Sequence, residues 1–214
     1  MARYVDSTDE LAPLFSRAED IITPLFWDVK RQPEKGTIHV SGERYALLRI
    51  HSLAVALHEQ LTAVLGPGAD VVIYQTGKAI GSSDAQYYLE RTKSEECAIR
   101  FAAGPVISAY QGFAKISILE DSSITADEDF LLVFDHQGAF EAEALLEKGM
   151  KADGPVDFFS AGYSAGWCSE ACGLKLDVKE VSCLATGHEQ CRFVMAPVKR
   201  LRERVKQIRD RYSL

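Results

Sequence analysis

The sequence predicts an α+β fold in which helices pack on an antiparallel sheet. Apolar residues recur with a helical period in the first half of the chain. In the second half they alternate along short runs that are bounded by turns. The chain is 214 residues long, which fits one domain or two intimately packed halves.

Helical periodicity is clearest over residues 43–65, where apolar side chains follow the spacing of an amphipathic helix up to a GPGAD turn. Two further helices are predicted over 71–90 and about 94–110. Ahead of them, GTIHVSG (36–42) is typical of a short strand or turn. Residues 1–33 contain three prolines and indicate short helical pieces outside the core, forming either a loose terminus or an arm on a partner subunit.

Alternation with a period of two begins after these helices. FAKISILE (113–120) and DFLLVFD (129–135) flank a polar turn and predict an antiparallel pair of strands. A second hairpin is predicted from LKLDVKEVSC (174–183) and CRFVMAP (191–197). The helices predicted between the two hairpins are 139–149 and 155–173.

Two of the predicted helices share a pattern of glycines. Gly77 and Gly81 in one, and Gly162 and Gly166 in the other, are four residues apart and so lie on one helix face. Since a face without side chains lets another backbone approach closely, we interpret these glycines as a helix-packing contact. Neither segment has the ending of a P-loop or a GxGxxG spacing, which disfavours nucleotide binding.

The composition is that of an acidic globular protein. Lys and Arg number 24 against 31 Asp and Glu, for a formal net charge of −7, so direct nucleic-acid binding is not expected as the main activity. The sequence has no apolar run long enough to cross a bilayer. Its N-terminus lacks the basic start and apolar stretch of a signal peptide. We therefore expect a cytoplasmic protein that does not associate with membranes.

The C-terminal segment 198–214 departs from this acidic average, with seven Lys and Arg against one Glu and one Asp. Leu201, Val205, Ile208 and Tyr212 follow a spacing typical of a coiled-coil seam, although it is too short to be stable alone. The segment is predicted to form an amphipathic helix. This helix either lies on its own domain or links the domain to a partner protein.

The five cysteines are unevenly distributed, because four of them fall within 24 residues and Cys97 stands apart. In a reducing compartment such a cluster indicates a metal or redox site rather than structural disulfides. Glu180, Cys183 and Cys191 form an E-x2-C-x7-C pattern across the second predicted hairpin, which would bring them close together. Thiolates combined with a carboxylate suit tetrahedral Zn²⁺.

One run of this region reads GYSAGWCSEACGLKLDVKEVSCLATGHEQCRF. It resembles the 4-vinyl reductase domain, whose recurrent pattern is GYxxG…G…(E)xxC…G…C. Three upstream runs, GERYALLRIHSLAVALHEQLTAVLG, TGKAIGSSDA and RFAAGPVISAYQGFAKI, resemble the N-terminal sensory region of bacterial activators of aromatic catabolism. The two resemblances together cover residues 34–197. They imply an α+β ligand-binding fold, related to haem-NO-binding and vesicle-tethering domains, that forms a homodimer.

The resemblance also implies a zinc site. In the phenol-sensing members of the family, zinc is held by a Glu, two Cys and a third Cys just after a Pro-Val pair. Glu180, Cys183 and Cys191 match three of these positions, and Asp157 in PVDFF falls on the fourth. A carboxylate can replace a thiolate on zinc, so we predict two oxygen and two sulfur ligands. The alternatives to Asp157 as the fourth ligand are Cys168, Cys172 and His188.

A ligand pocket is implied in the same way. Phe101 and Phe134 match two aromatic walls of the phenol sensors' pocket. Ser108 falls where those proteins use a His to hold the phenolic hydroxyl, His136 falls where they use a Trp, and Val178 takes a wall position that is Tyr there. A pocket with apolar walls, a hydroxyl and an imidazole favours a small hydrophobic or aromatic ligand, and it disfavours phenol itself.

These features predict a non-enzymatic, zinc-containing sensor or binding module with a signalling or regulatory role. The sequence pairs no nucleophile with an obvious base and has no nicotinamide or flavin fingerprint. The alternatives are an accessory protein or vinyl reductase of tetrapyrrole metabolism, and a protein-interaction scaffold. The predicted parts are an N-terminal arm with a dimer contact (1–33), a sensory half (34–127), a zinc-binding half (128–197) and a linker helix (198–214).

Overall fold

A five-stranded sheet forms the middle layer of the structure, a computed structural model that describes residues 3–92 and 96–214. Its strand order is β1-β5-β6-β8-β7. The β5–β6 and β7–β8 pairs are antiparallel, as predicted, whereas the short β1 runs parallel to β5. The strands are β1 (Val5–Asp6), β5 (Lys115–Ile118), β6 (Leu132–Gln137), β7 (Leu176–Ser182) and β8 (Cys191–Pro197).

Most of the predicted helices are present with slightly different ends. The helix predicted over 94–110 begins at Cys97, and the two positions before Glu96 lie outside the described residues. No helix in the described ranges is both long and apolar enough to span a bilayer. The helices are α1 (Ala12–Trp27), α2 (Leu57–Leu65), α3 (Gly68–Thr92), α4 (Cys97–Gln111), α5 (Phe140–Glu147), α6 (Phe158–Cys172) and α7 (Leu201–Tyr212).

The prediction of a single helix over 43–65 is wrong for its first third. Glu43–Tyr45 forms a strand, β4, and helical structure begins only with a π-helical stretch at His51–Ala56 that leads into α2. The strand β4 pairs with β3 (Thr37–Val40), and β3 pairs with β2 (Val29–Gln32), giving a second antiparallel sheet. The Ser41–Gly42 turn decides this outcome, because both residues have positive φ, as tight two-residue hairpins require.

The N-terminal segment is part of the core rather than short helical pieces outside it. The helix α1 buries Phe15, Ala18 and Ile22 completely, and the Phe15 ring meets that of Phe101 at a centroid distance of 6.2 Å. The prolines suggested breaks, but Pro13 lies in the first turn of α1, where its missing N–H costs nothing.

The glycine faces of α3 and α6 pack directly on each other, as the sequence predicted. A Cβ added at Gly77 or Gly81 would collide with the backbone of α6, and a Cβ at Gly162 or Gly166 would collide with the backbone of α3. The two helix backbones are therefore in van der Waals contact, without an intervening layer of side chains.

The C-terminal helix α7 covers the face of the sheet that is turned away from α3, α4 and α6. Its buried Ile208 packs in a small cluster with Val133, Val181 and Val194 from the strands. The Tyr212 hydroxyl donates a hydrogen bond of 2.6 Å to Asp121. Of the two predicted alternatives for this segment, the structure therefore has the helix lying on its own domain.

Candidate metal centre and ligand cavity

Four acidic side chains converge where the β7–β8 hairpin meets the start of α6. They are Asp157, Glu180, Cys183 and Cys191, all buried, and one ligand atom of each lies within 4.8 Å of the others. The two Sγ atoms are 3.9 Å apart. The hairpin brings Cys183 and Cys191 together, and an irregularity in strand register directly after Glu180 precedes Cys183. Such bulges redirect side chains and are common beside functional sites.

Backbone donors hold part of this cluster in place. The N–H of Ala142 donates to Asp157 Oδ1 at 3.0 Å, the N–H of Asp157 to Glu180 Oε2 at 3.1 Å, and the N–H of Leu184 to Cys191 Sγ at 3.3 Å. Within the described residues, Asp157 Oδ2 and Glu180 Oε1 are buried without a hydrogen-bond partner. Unsatisfied buried carboxylate oxygens are costly, and both belong to side chains of the cluster that could hold a metal ion.

The electrostatics of the cluster also favour a cation. Burial, and next the neighbouring Asp157, raise the pKa of Glu180 to about 11. The hydrogen bond from the Cys191 thiol lowers the pKa of Cys183 to about 6, and the same bond raises the pKa of Cys191. Four acidic groups so close together cannot all ionise unless a positive charge compensates them.

Asp157 lies in one cluster with Glu180, Cys183 and Cys191. The three alternative fourth ligands lie outside this cluster. Cys168 lines the internal cavity described below. Cys172 is the last residue of α6, and burial, followed by the neighbouring Cys168 and Cys97, raises its pKa. His188 is exposed, and its Nδ1 lies 2.8 Å from the Thr186 hydroxyl oxygen.

Glu141 is a buried acid that the sequence reasoning did not single out as a site residue. Its carboxylate accepts hydrogen bonds from the N–H groups of Phe159 at 2.9 Å and Ser160 at 2.8 Å, in the first turn of α6. Burial, and next Asp157, raise the pKa of Glu141 to about 8, while the two N–H donors oppose this shift. By capping α6 at its N-terminus, Glu141 positions the backbone that carries Asp157.

An internal cavity lies between α4, α6 and the sheet. Three residues implied by the resemblance line it, namely Phe101 and Ser108 from α4 and Phe134 from β6. The cavity volume is about 20 Å³, which is enough for one water molecule, whereas an apolar cavity known to hold benzene measures about 150 Å³. An aromatic ligand therefore requires the walls to move apart.

The other two residues implied for the pocket are not part of this lining. His136 is buried beside the stacked rings of Phe134 and Phe193, at centroid distances of 5.4 and 4.4 Å. Neither of its ring nitrogens has a partner among the described residues, and burial lowers its pKa to about 3. Val178 lies on β7 and pairs with Met195 of the neighbouring strand β8. Met195 lines the cavity, whereas Val178 does not.

The α6 side of the cavity was missed by the sequence reasoning. Tyr163 and Trp167, one helical turn apart, line it together with Cys168. Trp167 donates a hydrogen bond of 3.2 Å to the Arg100 carbonyl, and a Cβ at Gly104 would collide with the Trp167 ring. The sequence could have indicated this wall, because two aromatic residues four positions apart lie on the same face of a helix.

Two family models match the chain. Residues 25–122 match the model described as "Activator of aromatic catabolism", and residues 139–197 match the model of the 4-vinyl reductase domain. A curated relative, the phenol regulator MopR of Acinetobacter guillouiae, is 26% identical over 181 residues. That alignment covers 84% of this chain and 31% of the relative, so the chain spans about a third of the relative's length.

Solved structures show the fold. The phenol-responsive sensory domain of the transcription activator PoxR, solved with phenol, aligns with a TM-score of 0.75 at 21% identity and covers 94% of this chain and 96% of its own. A vinyl-4-reductase family protein from Methanocaldococcus jannaschii aligns less closely, with a TM-score of 0.45 at 15% identity, covering 89% and 97%. The predicted fold class is confirmed by the first of these. The chain is thus similar in its first half to the sensory region of aromatic-catabolism activators and in its second half to the 4-vinyl reductase domain, as the sequence predicted.

Proposed function

We propose that this chain is a non-enzymatic, zinc-containing sensor that binds a small hydrophobic or aromatic molecule and acts as a regulatory module in the cytoplasm. The observation that carries the proposal is the enclosed cavity between α4, α6 and the sheet, whose walls include Phe101, Phe134 and Trp167. Aromatic walls with few polar groups are typical of small-molecule sites. The matches to a phenol regulator and to a phenol-responsive domain support the same class of ligand.

Zinc is the metal that best suits the cluster. Asp157, Glu180, Cys183 and Cys191 would hold it with two oxygen and two sulfur atoms. Each of the two carboxylates has one oxygen without a partner among the described residues, which leaves it free to bind the ion. Four protein ligands make a closed, structural site. When bound, the ion supplies positive charge and joins the β7–β8 hairpin to the start of α6. The protein's own residues orient the site through Ala142, Leu184 and Glu141.

The ligand is proposed to enter by separation of α4 and α6, because both helices line the cavity. Ser108 would offer its hydroxyl to a polar group of the ligand, at the cost of the 3.3 Å bond that it now donates to the Ala114 carbonyl. His136 is adjacent to the Phe134 wall and comes into reach when the cavity expands.

We further propose that the chain forms a homodimer and signals to a partner protein through α7. Large apolar side chains are exposed around the second sheet, with Trp27, Leu47 and Leu48 at 72%, 75% and 69% exposure. Leu47 and Leu48 line one surface groove together with Val29. An apolar surface of this kind favours coverage by another protein. On α7, the basic residues Arg202, Lys206 and Arg209 face solvent.

Native mass spectrometry of the purified protein, followed by denaturation in the same instrument, tests the proposal. We expect a dimer that carries one zinc ion per chain and takes up an added aromatic compound such as toluene. A metal-free chain that binds neither zinc nor toluene would contradict both parts. The Asp157→Ala variant serves as the matched control, because it should lose the metal while keeping the cavity.

The same preparation separates the alternative functions. A shift of the Soret band on adding porphyrin would favour the tetrapyrrole accessory protein, and NADPH-dependent turnover would favour the reductase. Binding of a partner protein without any small molecule would favour the scaffold.

A further inference from the structure

The side of α4 that faces the cavity is interrupted in the middle of the helix. Phe101, Gly104, Pro105 and Ser108 line the cavity, and their spacing of three and four positions puts them on one helix face. Pro105 has no N–H, so it cannot donate the helical hydrogen bond to the Phe101 carbonyl one turn before it. Because a proline inside a helix is a usual site of bending, α4 has a weak point between its first half and its second half, residues 106–111.

The first half of α4, residues 97–104, is fixed to α6. The Trp167 indole donates a hydrogen bond to the Arg100 carbonyl at 3.2 Å, and the Arg100 guanidinium donates one to the Glu170 carbonyl at 3.3 Å. The Trp167 ring also lies so close to Gly104 that a Cβ there would collide with it. Enlarging the cavity by moving this half of the helix would therefore break all three contacts.

The second half of α4 is held to α3 and α6 by a shared carboxylate. Gln111, the last residue of α4, donates from Nε2 to Asp84 Oδ2 at 3.0 Å, and the Tyr163 hydroxyl donates to the same oxygen at 2.8 Å. Tyr163 lines the cavity from α6. The position of Tyr163 relative to Asp84 is fixed, because the Tyr163 carbonyl lies directly against Gly81 on the helix that carries Asp84. Movement of the second half of α4 away from α6 would therefore break the bond from Gln111.

We propose that residues 106–111 form a hinged wall of the cavity, which bends at Pro105 and is held closed by the hydrogen bond from Gln111 to Asp84. Bending at this point moves Ser108 away from α6 and enlarges the cavity beyond its present volume of about 20 Å³. The proposal rests on the proposed function, since it states which part of α4 moves when the ligand enters. Asp84 and Gln111 are positioning residues, because neither of them lines the cavity.

Quenching of Trp167 fluorescence by acrylamide tests the hinged wall without any ligand. The chain has two tryptophans, and Trp27→Phe removes the exposed one, so that the remaining emission reports the cavity. In this parent, Gln111→Met removes the donor and keeps the length of the side chain. It should raise the quenching constant by about two- to tenfold, since the open population grows by the factor that one hydrogen bond contributes. Gln86→Met is the matched control, because Gln86 is an exposed residue of α3.

Pro105→Ala should have the opposite effect. Alanine supplies the missing N–H and strengthens the connection between the two halves of α4, so the quenching constant should fall by about twofold or more. Pro24→Ala, in the interior of α1 and away from the cavity, is the control and should leave the constant unchanged. Circular dichroism melts check that each variant folds. Equal quenching in Gln111→Met, Pro105→Ala and the parent would overturn the proposal, as would an equal rise in Gln86→Met.

Toluene binding to the same variants separates this proposal from the proposed function. Stopped-flow fluorescence should show that toluene associates about two- to tenfold faster with Gln111→Met than with the parent, and more slowly with Pro105→Ala. If toluene binds to no variant while acrylamide quenching responds as expected, the hinged wall stands and the sensor function fails. If toluene binds to all variants at one rate and their quenching is also equal, the hinged wall fails and the sensor function stands.

Discussion

The backbone of Gly166 lies directly against the main-chain carbonyl of Lys78, so that two helices touch without side chains between them. Gly81 has the same relationship to Tyr163, and Gly77 has it to Phe159. The glycines thus set the distance between α3 and α6. The helix α6 lines the cavity, and Asp157 of the metal cluster directly precedes its first residue.

A methyl group at this contact is expected to force the helices apart. Gly166→Ala should lower the free energy of unfolding by about 2–3 kcal/mol, the usual cost of overpacking, despite the better helix propensity of alanine. Urea denaturation measures the change. The control is Gly154→Ala, because a Cβ at Gly154 would meet no atom within 4 Å and its φ is not positive. Equal effects of the two substitutions would show that the close contact is not what matters.

Removal of one ligand should release the metal and destabilise the fold at the same time. We expect Asp157→Ala to lose zinc, measured by elemental analysis, and to lower the melting temperature by about 4–8 °C, which corresponds to ~2 kcal/mol for a chain of this size. The double variant Cys183→Ala, Cys191→Ala should behave in the same way. Cys97→Ala is the control, since it removes a thiol outside the cluster. A metal-free double variant with unchanged melting would rule out a structural role for zinc.

The ligand preference is expected to depend on the residue at position 108. Ser108→His should raise the affinity for phenol by about tenfold, because the imidazole provides a buried partner for the phenolic hydroxyl worth ~1.4 kcal/mol. Isothermal titration calorimetry measures the affinity, and Ser108→Ala should show no gain. Toluene is the control ligand, since it has the ring without the hydroxyl. A similar gain for toluene would mean that the substitution acts through cavity shape instead.

The buried His136 should make stability fall in mild acid. Its pKa in the folded protein is about 3, well below the ordinary 6.5, so the unfolded chain takes up the proton first. The stability that comes from burying a neutral His136 is therefore complete above pH 6.5. As the pH falls below 6.5, the free energy of unfolding decreases by up to about 1.4 kcal/mol per pH unit.

Comparison with His136→Phe isolates this effect from the other titrating groups. The phenyl ring is expected to fit the same place beside Phe134 and Phe193, and it takes up no proton. Denaturation curves at pH 7.5 and 5.0 should therefore diverge for the two proteins only at the lower pH. Parallel loss of stability in both proteins would show that His136 is not the group responsible.

Much of the fold follows from local sequence patterns. Both hairpins of the main sheet were predictable, because period-two alternation and polar turns specify strand pairs locally. The second sheet was not, since the apolar residues near 43–50 fit a helical period and only the conformation of Ser41 and Gly42 reveals the hairpin. The helix α1 was misjudged because Pro13 stands in its first turn, where a helix tolerates proline, and because the helix continues through Pro24.

The candidate site divides in the same way. Cys183 and Cys191 are brought together by a local hairpin, and spacing alone predicts that. Asp157 comes from another element, and it was assigned only through the resemblance to a known family. The capping role of Glu141 has no local signal, because burial of an acid depends on packing between α5 and α6 that periodicity does not encode.

On β8, two consecutive residues face opposite sides of the sheet. Cys191 belongs to the metal cluster, while the guanidinium of Arg192 lies 4.0 Å from the centroid of the Tyr212 ring on α7 and bonds Asp135 at 2.7 and 2.8 Å. One peptide unit therefore separates an anchor of the proposed zinc site from an anchor of the C-terminal helix. A backbone rotation at residue 191 would also displace residue 192, so the two faces of the sheet are joined by a covalent path of one peptide unit, without a hinge or a flexible linker.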